Sequence, residues 1–344
     1  IATPLSGWWI DRIGARRGLV ASVLLWTAVA ALHALIPGFW VLFALRIALG
    51  IAEGPSFPGA AQTVQRILPP ADRARGFGVL FTGSSIGGML APPIASALFA
   101  AHGWRVAFLT SALIGLVWLP VWLFWTRQRR VAEQLDTAAQ PKEAIPRPPL
   151  RELIRNPELH RGLFAIFAVA PVFGVALSWG AIYLTSTWKV SQAGVGEYLW
   201  LPPLIFDGAA ILFGHLASQQ HRPHGEPPRM LFAIGMLLAT TLVALPWMQG
   251  AWPAVYLLGI AMAGGGIVYT LATADMLQRM PPSSVSFAAG TMAGAQSLAL
   301  VIVNPLIGLA YDYYRNFDVV AIAIGLWSVP GCLVWLLWRP RLER

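Results

Sequence analysis

The chain has 344 residues, of which 57% are hydrophobic and only 11% are charged, and its formal net charge at pH 7 is +9. A soluble globular domain usually carries about 25% charged residues, so this composition argues against a soluble protein. The single cysteine, Cys332, cannot form a disulfide within the chain, and the histidines lack metal-ligand spacing. We therefore expect neither a disulfide framework nor a metal site.

The chain begins with an apolar segment, residues 1–10, that leads directly into a basic loop. It has neither an initiator Met nor the basic start of a signal peptide. We interpret it as the last turns of a helix whose beginning is missing, which makes the chain an N-terminally truncated fragment.

Long apolar stretches after this segment predict ten membrane-spanning helices. A bilayer core requires about 20 apolar residues in a helix, and lipid offers no partner for unpaired backbone N–H and C=O groups. Residues 230–274 contain no charged residue and are long enough for two spans, divided near Pro253. The predicted spans are 18–36, 39–63, 77–101, 105–126, 162–187, 197–218, 229–248, 253–277, 284–311 and 318–338. The predicted fold class is an all-α membrane protein.

The distribution of Lys and Arg indicates which loops face the cytoplasm. If the loop after Asp11 is placed inside, 20 of the 24 basic residues lie inside and only Arg105, Lys189 and Arg315 lie outside, with Arg46 within a span. Because basic loops are retained in the cytoplasm, we predict a multi-pass protein of the inner (plasma) membrane with a cytoplasmic linker and C-terminus. The positive charge then requires no nucleic-acid partner.

The longest polar segment, residues 127–160, carries five prolines, seven basic and five acidic residues. We predict that it is a cytoplasmic linker with a short surface helix at 150–159. It would separate an N-terminal helical bundle, residues 1–126, from a C-terminal six-helix bundle, residues 161–344. In the first bundle, one helix and most of a second would be missing.

The first loop carries a motif of glycine, aspartate and arginine at fixed spacing. It resembles the cytoplasmic signature of the major facilitator superfamily, G-x-x-x-D-R-x-G-R/A-R-R, which lies between the second and third helices. A helix N-terminus or a neighbouring Arg could hold the aspartate in one conformation and release it in another. A basic loop that only sets topology is the alternative. The predicted latch residues are Gly7, Asp11, Arg12, Gly14, Arg16 and Arg17.

This resemblance implies a major facilitator fold of two helical bundles, with substrate bound near the membrane midplane. The family's 12-helix plan would appear here as ten complete helices and the end of helix 2.

The next span contains two charged residues, Arg46 and Glu53, which lie seven residues apart and so on one helix face. The segment resembles the pattern R-x-x-x-G-x-x-E in helix four of the anion:cation symporter family, which includes sugar-acid permeases and phosphate carriers. Charges inside a span are costly and usually functional. A guanidinium matches a carboxylate, and a buried Glu can exchange protons near neutral pH. We predict that Arg46 binds the anion and Glu53 carries the proton; a structural ion pair is the alternative.

Other polar side chains within the spans are candidates for substrate contact. The hydroxyl groups of the fifth helix could face a substrate or only pack helices, and Asp207 could exchange protons or be a packed hydrogen-bond donor. Tyr183 fits the W-L-P-x-Y-L pattern of the family's helix seven. The predicted substrate-binding residues are Arg46, Thr82, Ser84, Tyr183, Gln296 and Asn304, and the predicted proton-coupling residues are Glu53 and Asp207.

The resemblance implies a secondary active transporter, a monomer that moves a small organic anion with protons by alternating access. A sugar acid such as a hexuronate or hexonate is the expected substrate, with no cofactor besides the coupling protons. A transporter-like sensor and a carrier of phosphate or aromatic acids stay open as alternatives. We expect neither an enzyme nor an ATP-driven pump, because the sequence has no catalytic cluster and no G-x-x-x-x-G-K-S/T loop.

Overall fold

The computed structural model describes residues 2–136, 148–191, 194–220 and 226–338, without the side chains of residues 92, 93 and 96. All regular secondary structure within these residues is helical, which confirms the predicted all-α class. The first seven helices are α1 (Thr3–Ile13), α2 (Ala15–Leu32), α3 (Phe39–Glu53), α4 (Ser56–Ile67), α5 (Arg73–Ile114), α6 (Trp118–Thr126) and α7 (Arg129–Asp136). The others are α8 (Leu150–Arg155), α9 (Pro157–Gly174), α10 (Gly180–Thr187), α11 (Gly196–Leu199), α12 (Leu201–Gln219), α13 (Arg229–Thr240), α14 (Ala251–Arg279), α15 (Val285–Tyr314) and α16 (Asp318–Leu337).

Nine helical stretches of the described chain are long and apolar enough to cross a membrane. They are Ala15–Leu35, Phe39–Ile67, Ala97–Thr126, Pro157–Thr187, Gly196–Gln219, Arg229–Trp247, Ala251–Arg279, Pro282–Tyr314 and Asp318–Leu337. The remaining predicted span, 77–101, forms the first part of α5. That helix is interrupted at Gly103, where φ is 78°, a conformation that glycine adopts without steric cost. The break falls where the sequence predicts a loop between two spans.

The linker is more structured than the sequence predicts. Residues 129–136 form α7, and Val131 and Leu135 of this helix pack with Leu19 and Trp122 in a small buried cluster. The sequence analysis missed α7 because a two-turn segment is a marginal helix by itself, and the partners of Val131 and Leu135 are not visible in the sequence. Residues 137–147 lie outside the described part of the chain.

The predicted surface helix at 150–159 is wrong in its extent. It divides at Asn156, whose side chain accepts a hydrogen bond from the Glu158 N–H at 2.8 Å and caps the start of α9. An N-cap of this kind starts a new helix because it satisfies a backbone N–H that has no partner within the helix. Leu150–Arg155 is therefore a separate short helix, α8.

The chain forms two compact units. Unit 1 comprises Ile1–Pro69, Ile86–Leu153 and Met280–Gly294, and unit 2 comprises Pro70–Ser85, Ile154–Arg279 and Ala295–Arg344. The start of α15 thus packs within unit 1, and the start of α5 packs within unit 2. The predicted division of the sequence at residues 126 and 161 stays a prediction.

Helices within each unit approach closely where glycine is present. In unit 1, a Cβ at Gly7 would overlap the Ser286 carbonyl oxygen. In unit 2, a Cβ at Gly78 would lie 2.5 Å from the Ala210 carbonyl oxygen. Small residues at such crossings let helix backbones touch, which is a main source of helix association in membranes.

The Gly264-Gly265-Gly266 segment is a close-approach point, and α14 stays helical through it. A Cβ at Gly264 would overlap the backbone nitrogen of Ala239, and it would lie 2.5 Å from the Gly235 carbonyl oxygen. These atoms belong to α13, so the glycine is required where α13 and α14 cross.

We expect Gly264→Ala to destabilise the protein by about 1–3 kcal/mol, the usual cost of overpacking. The matched control is Gly208→Ala, because Gly208 is exposed on α12 with no atom within 4 Å of the added Cβ. The measurement is the thermal unfolding midpoint in detergent. Equal midpoints for the two variants would contradict the close packing of α13 on α14.

Candidate functional site

The two charged residues of the predicted anion site lie on α3 in unit 1. Glu53 is the last residue of the helix, and Arg46 lies two turns earlier. Both side chains are exposed, and Arg46 is near enough to act electrostatically on Glu53. The two groups are therefore accessible to a ligand. Their roles as anion ligand and proton carrier stay predictions.

The hydroxyl groups of α5 have different surroundings. Thr82 donates to the Val79 carbonyl within its own helix at 2.7 Å, and Ser84 is exposed. The adjacent Ser85 is buried and donates to Asp207 Oδ1 at 2.8 Å. Ser85 is therefore the α5 hydroxyl that contacts the predicted proton-coupling residue.

Asp207 lies on α12 in unit 2 and is 7% exposed. Among the described residues, Ser85 is its hydrogen-bond partner. The neighbouring Phe206 ring packs against Phe81 and Phe173, with ring centroids 6.3 and 5.7 Å apart. A carboxyl group with one polar partner beside an aromatic cluster has little solvation, so its protonation should depend strongly on its surroundings.

The predicted substrate residues of the second half also belong to unit 2. The Trp179 indole N–H donates to Asn304 Oδ1 at 3.3 Å, and both side chains are half-buried. Trp179 ends a π-helical turn, Val175–Trp179, and such turns occur frequently at functional sites. Gln296 is half-buried two helical turns before Asn304 on α15.

Tyr183 occupies a different environment from the other predicted substrate ligands. It is 4% exposed, its hydroxyl accepts a hydrogen bond from the Trp188 indole at 3.1 Å, and its ring packs edge-on against Phe317. In this structure Tyr183 is a core residue of unit 2, and its contact with substrate stays a prediction.

The aspartate of the predicted latch lies against the start of α15 within unit 1. Asp11 Oδ1 accepts the Ser286 N–H at 3.0 Å, and Asp11 Oδ2 accepts the Phe287 N–H at 2.8 Å. These backbone groups belong to the first turn of the helix and have no intrahelical acceptor. Asp11 thus caps a helix that begins 274 positions later in the sequence. The sequence allowed two partners for Asp11, a helix N-terminus or a neighbouring Arg, and in the structure Asp11 contacts the helix N-terminus.

Asp11 is well suited to this contact electrostatically. Burial raises the pKa of Asp11 to about 6, while hydrogen bonds from Phe287, Ser286 and Gln62 lower it. The carboxyl group is therefore mostly ionised at neutral pH, and a helix N-terminus attracts negative charge.

The other residues of the motif have separate structural roles. Gly14 has φ 83° at the junction of α1 and α2, and Gly7 allows the close approach of the α15 backbone. Arg12 lies over the Trp8 ring, 3.0 Å from its centroid. The Arg16 carbonyl accepts the Trp122 indole N–H at 3.2 Å, and Arg17 is exposed. Their participation in a latch stays a prediction.

Gln62 is a polar residue of this contact that the sequence did not reveal. It lies on α4 and is 1% exposed, and its side-chain amide touches α1, α2 and α15. Since α4 has no charge at this position, the search for charged residues in spans could not find it. Its isolated amide in an otherwise small and apolar stretch was the available signal.

Unit 2 contains a buried cluster of two acidic and two basic residues. Arg161 Nη1 lies 3.1 Å from Asp275 Oδ2 and 3.4 Å from Glu158 Oε2. Arg279 Nη2 lies 3.0 Å from Asp275 Oδ1. The Arg161 Nε–H also donates to the Trp335 carbonyl at 3.0 Å. The cluster has no net charge and connects α9, α14 and α16, so it is a structural element of unit 2.

Three comparisons relate the chain to known proteins. The sequence matches the family model of the Major Facilitator Superfamily over residues 1–303. It is 22% identical over 353 residues to the hexuronate transporter of Escherichia coli K12, covering 96% of this chain and 82% of that protein. It is 27% identical over 227 residues to the galacturonate transporter of Dickeya chrysanthemi, covering 63% of this chain and 66%, just under two thirds, of that protein.

Solved structures resemble this chain over nearly its whole length. The transporter FucP superimposes with a TM-score of 0.75 at 15% identity, covering 97% of this chain and 86% of that one. The human organic anion transporter MFSD10 superimposes with a TM-score of 0.69 at 18% identity, covering 97% and 80%. At these identities the likeness establishes the fold alone.

We expect Asp275→Ala to destabilise the protein by about 3 kcal/mol or more, because the buried Arg161 guanidinium loses its nearest carboxylate and Arg279 loses one as well. The control is Glu133→Ala, which breaks the exposed 2.8 Å pair with Arg129 and should cost no more than about 1 kcal/mol. The measurement is chemical or thermal unfolding in detergent. An equal effect of the two substitutions would contradict the structural role of the cluster.

Proposed function

Because the chain belongs to the Major Facilitator Superfamily, we propose that it is a secondary active transporter that carries a sugar acid together with protons. The observation that supports this most directly is the exposed pair Arg46 and Glu53 on a spanning helix of a chain whose relatives include hexuronate and galacturonate transporters. The predicted major facilitator fold and the absence of an enzymatic role are confirmed by the family match and by the solved structures.

Arg46 would bind the carboxylate of the substrate. A guanidinium can donate two parallel hydrogen bonds to one carboxylate, and its charge offsets that of the anion. Its side chain is available for this role because it is exposed rather than held in a buried ion pair. For Thr82, Ser84, Gln296 and Asn304, a role in binding the hydroxyl groups of the sugar stays a prediction from the sequence.

Glu53 would carry the coupling proton. Its position two helical turns from Arg46 lets the anion, the guanidinium and the carboxylate influence one another. Protonation of Glu53 removes a negative charge from the vicinity of Arg46, which favours binding of an anion. Asp207, which is 7% exposed and hydrogen-bonded to Ser85, would be a second proton acceptor.

The contact between Asp11 and α15 would act as the latch of the transport cycle. Ionised Asp11 stabilises one conformation by capping the α15 N-terminus, and alternating access requires that this contact break in the other. We further propose an inner-membrane protein with a cytoplasmic linker, active as a monomer and requiring protons but no other cofactor.

Arg46→Ala should reduce uptake of the substrate by roughly tenfold to a hundredfold, the effect of losing a hydrogen bond to a charged group. The assay is accumulation of labelled galacturonate, glucuronate and galactonate by the full chain in proteoliposomes with an inward proton gradient. Arg46→Lys keeps the charge but cannot donate two parallel hydrogen bonds to a carboxylate, so it should give intermediate uptake. Arg315→Ala, in a predicted outside loop, should give normal uptake. Normal uptake by Arg46→Ala would exclude Arg46 as the anion ligand.

Failure of the unmodified chain to take up any of the three sugar acids would reject the proposed substrate class. Labelled phosphate and an aromatic carboxylate in the same vesicles then test the other anions. Binding of a sugar acid without uptake would instead favour the sensor.

Glu53→Gln should abolish accumulation driven by the proton gradient while preserving exchange of labelled for unlabelled substrate, since a Gln cannot release a proton. The two assays are performed on the same vesicles, and Glu152→Gln, an exposed glutamate of α8 outside the spans, is the control. Gradient-driven accumulation by Glu53→Gln would exclude Glu53 as the proton carrier and leave Asp207 as the candidate.

A further inference from the structure

Gln62 connects three helices of unit 1 through one buried side chain. Its Nε2 donates to Asp11 Oδ1 at 3.0 Å and to Ser286 Oγ at 2.9 Å. Its Oε1 accepts the backbone N–H of Ala15, the first residue of α2, at 2.8 Å. The amide therefore contacts the end of α1, the start of α2 and the start of α15.

The hydrogen-bond chemistry fixes the orientation of this amide. The Ala15 N–H can only donate, so the oxygen of Gln62 must face it. The NH2 group is then directed at Asp11 and Ser286, and both of its hydrogens are used. A flipped amide would place an oxygen beside the Asp11 carboxylate and a donor beside the Ala15 N–H, so the hydrogen bonds to both of these groups would be lost.

We propose that Gln62 is a positioning residue of the latch: it orients the Asp11 carboxylate toward α15 and also holds α15 directly through Ser286. This rests on the latch assigned under the proposed function and adds a residue from α4 to it. Asp11 uses Oδ2 for Phe287 and shares Oδ1 between Ser286 and Gln62. Without the amide, the Asp11 carboxylate would lose one of the donors that hold Oδ1.

A neutral amide suits a latch that must also open. A Lys or Arg at position 62 would form an ion pair with Asp11 and compete with the α15 N-terminus for its charge. A Glu would place a second carboxylate about 3 Å from the first, and like charges at that distance repel. An amide donates without changing the charge of Asp11, so the carboxylate remains free to attract the helix N-terminus.

The test is hydrogen–deuterium exchange of residues 284–290, whose Ser286 and Phe287 amides are bonded to Asp11. Gln62→Met keeps the length of the side chain and removes its hydrogen bonds, so exchange of this segment should accelerate by about tenfold. In an Asp11→Ala background the same substitution should accelerate exchange clearly less than in the unmodified protein, because only the direct bond to Ser286 is then left to lose. The control is Thr63→Val, since Thr63 donates only within α4, to the Gly59 carbonyl.

Two results would overturn the proposal: unchanged exchange in Gln62→Met, or an equal acceleration with and without Asp11. The second result would mean that Gln62 acts on α15 without Asp11. If Gln62→Met also accelerates exchange across α14 in unit 2, the substitution has unfolded the protein. The positioning role is then tested with Gln62→Glu instead. That variant keeps an acceptor for the Ala15 N–H but replaces the donor to Asp11 and Ser286 with a carboxylate oxygen. Exchange should therefore accelerate only at the start of α15. Exchange at the wild-type rate in that segment would reject the positioning role. Because exchange is measured without substrate, the outcome does not depend on which anion is carried.

Discussion

Polar groups buried away from water need partners, and this constraint determines how the helices of each unit meet. An unpaired buried polar group costs several kcal/mol in an apolar medium. The important partners here come from distant parts of the sequence. Asp11 satisfies the first turn of α15, Ser85 satisfies Asp207, and the Arg161 Nε–H is satisfied by the Trp335 carbonyl. Each of these bonds fixes two helices together at one point along their length.

The ends of α4 and α14 have similar local sequences, but the buried polar residue in each has a different kind of partner. Residues 61–66 and 274–279 share an alanine at the first position and Gln-Arg at the last two. The second position is Gln62 in one and Asp275 in the other, and both side chains are buried. Gln62 faces a carboxylate and donates to it, whereas Asp275 faces two guanidinium groups and accepts from them. The charge of the residue at this position therefore complements its partner. A neutral amide lies beside the Asp11 carboxylate, and a carboxylate lies beside the guanidinium groups of Arg161 and Arg279.

The candidate transport residues differ from these structural residues in exposure. Arg46 and Glu53 are exposed on α3, and Gln296 and Asn304 are half-buried on α15. The charged groups of the Glu158–Arg161–Asp275–Arg279 cluster are instead mostly buried and form ion pairs with one another. This contrast separates charges available to a ligand from charges that hold helices together, although both kinds lie in apolar helices where charge is expensive.

The sequence by itself determined the class of the protein, the positions of the spans and the motif of the first loop. These follow from local constraints: lipid requires about 20 apolar residues in a helical segment, and the motif's Gly14 is required by its own φ of 83°. Only the tertiary structure decided the partners. The sequence left open whether Asp11 contacts a helix N-terminus or an arginine, and it did not single out Gln62. The folding of 129–136 into α7 was missed for the same reason, since its two buried residues are recognisable only against Leu19 and Trp122. Hydropathy and helix periodicity are properties of neighbouring residues, so a single segment reveals them. The partner of a buried polar group depends on which helices cross, and no single segment of the sequence contains that information.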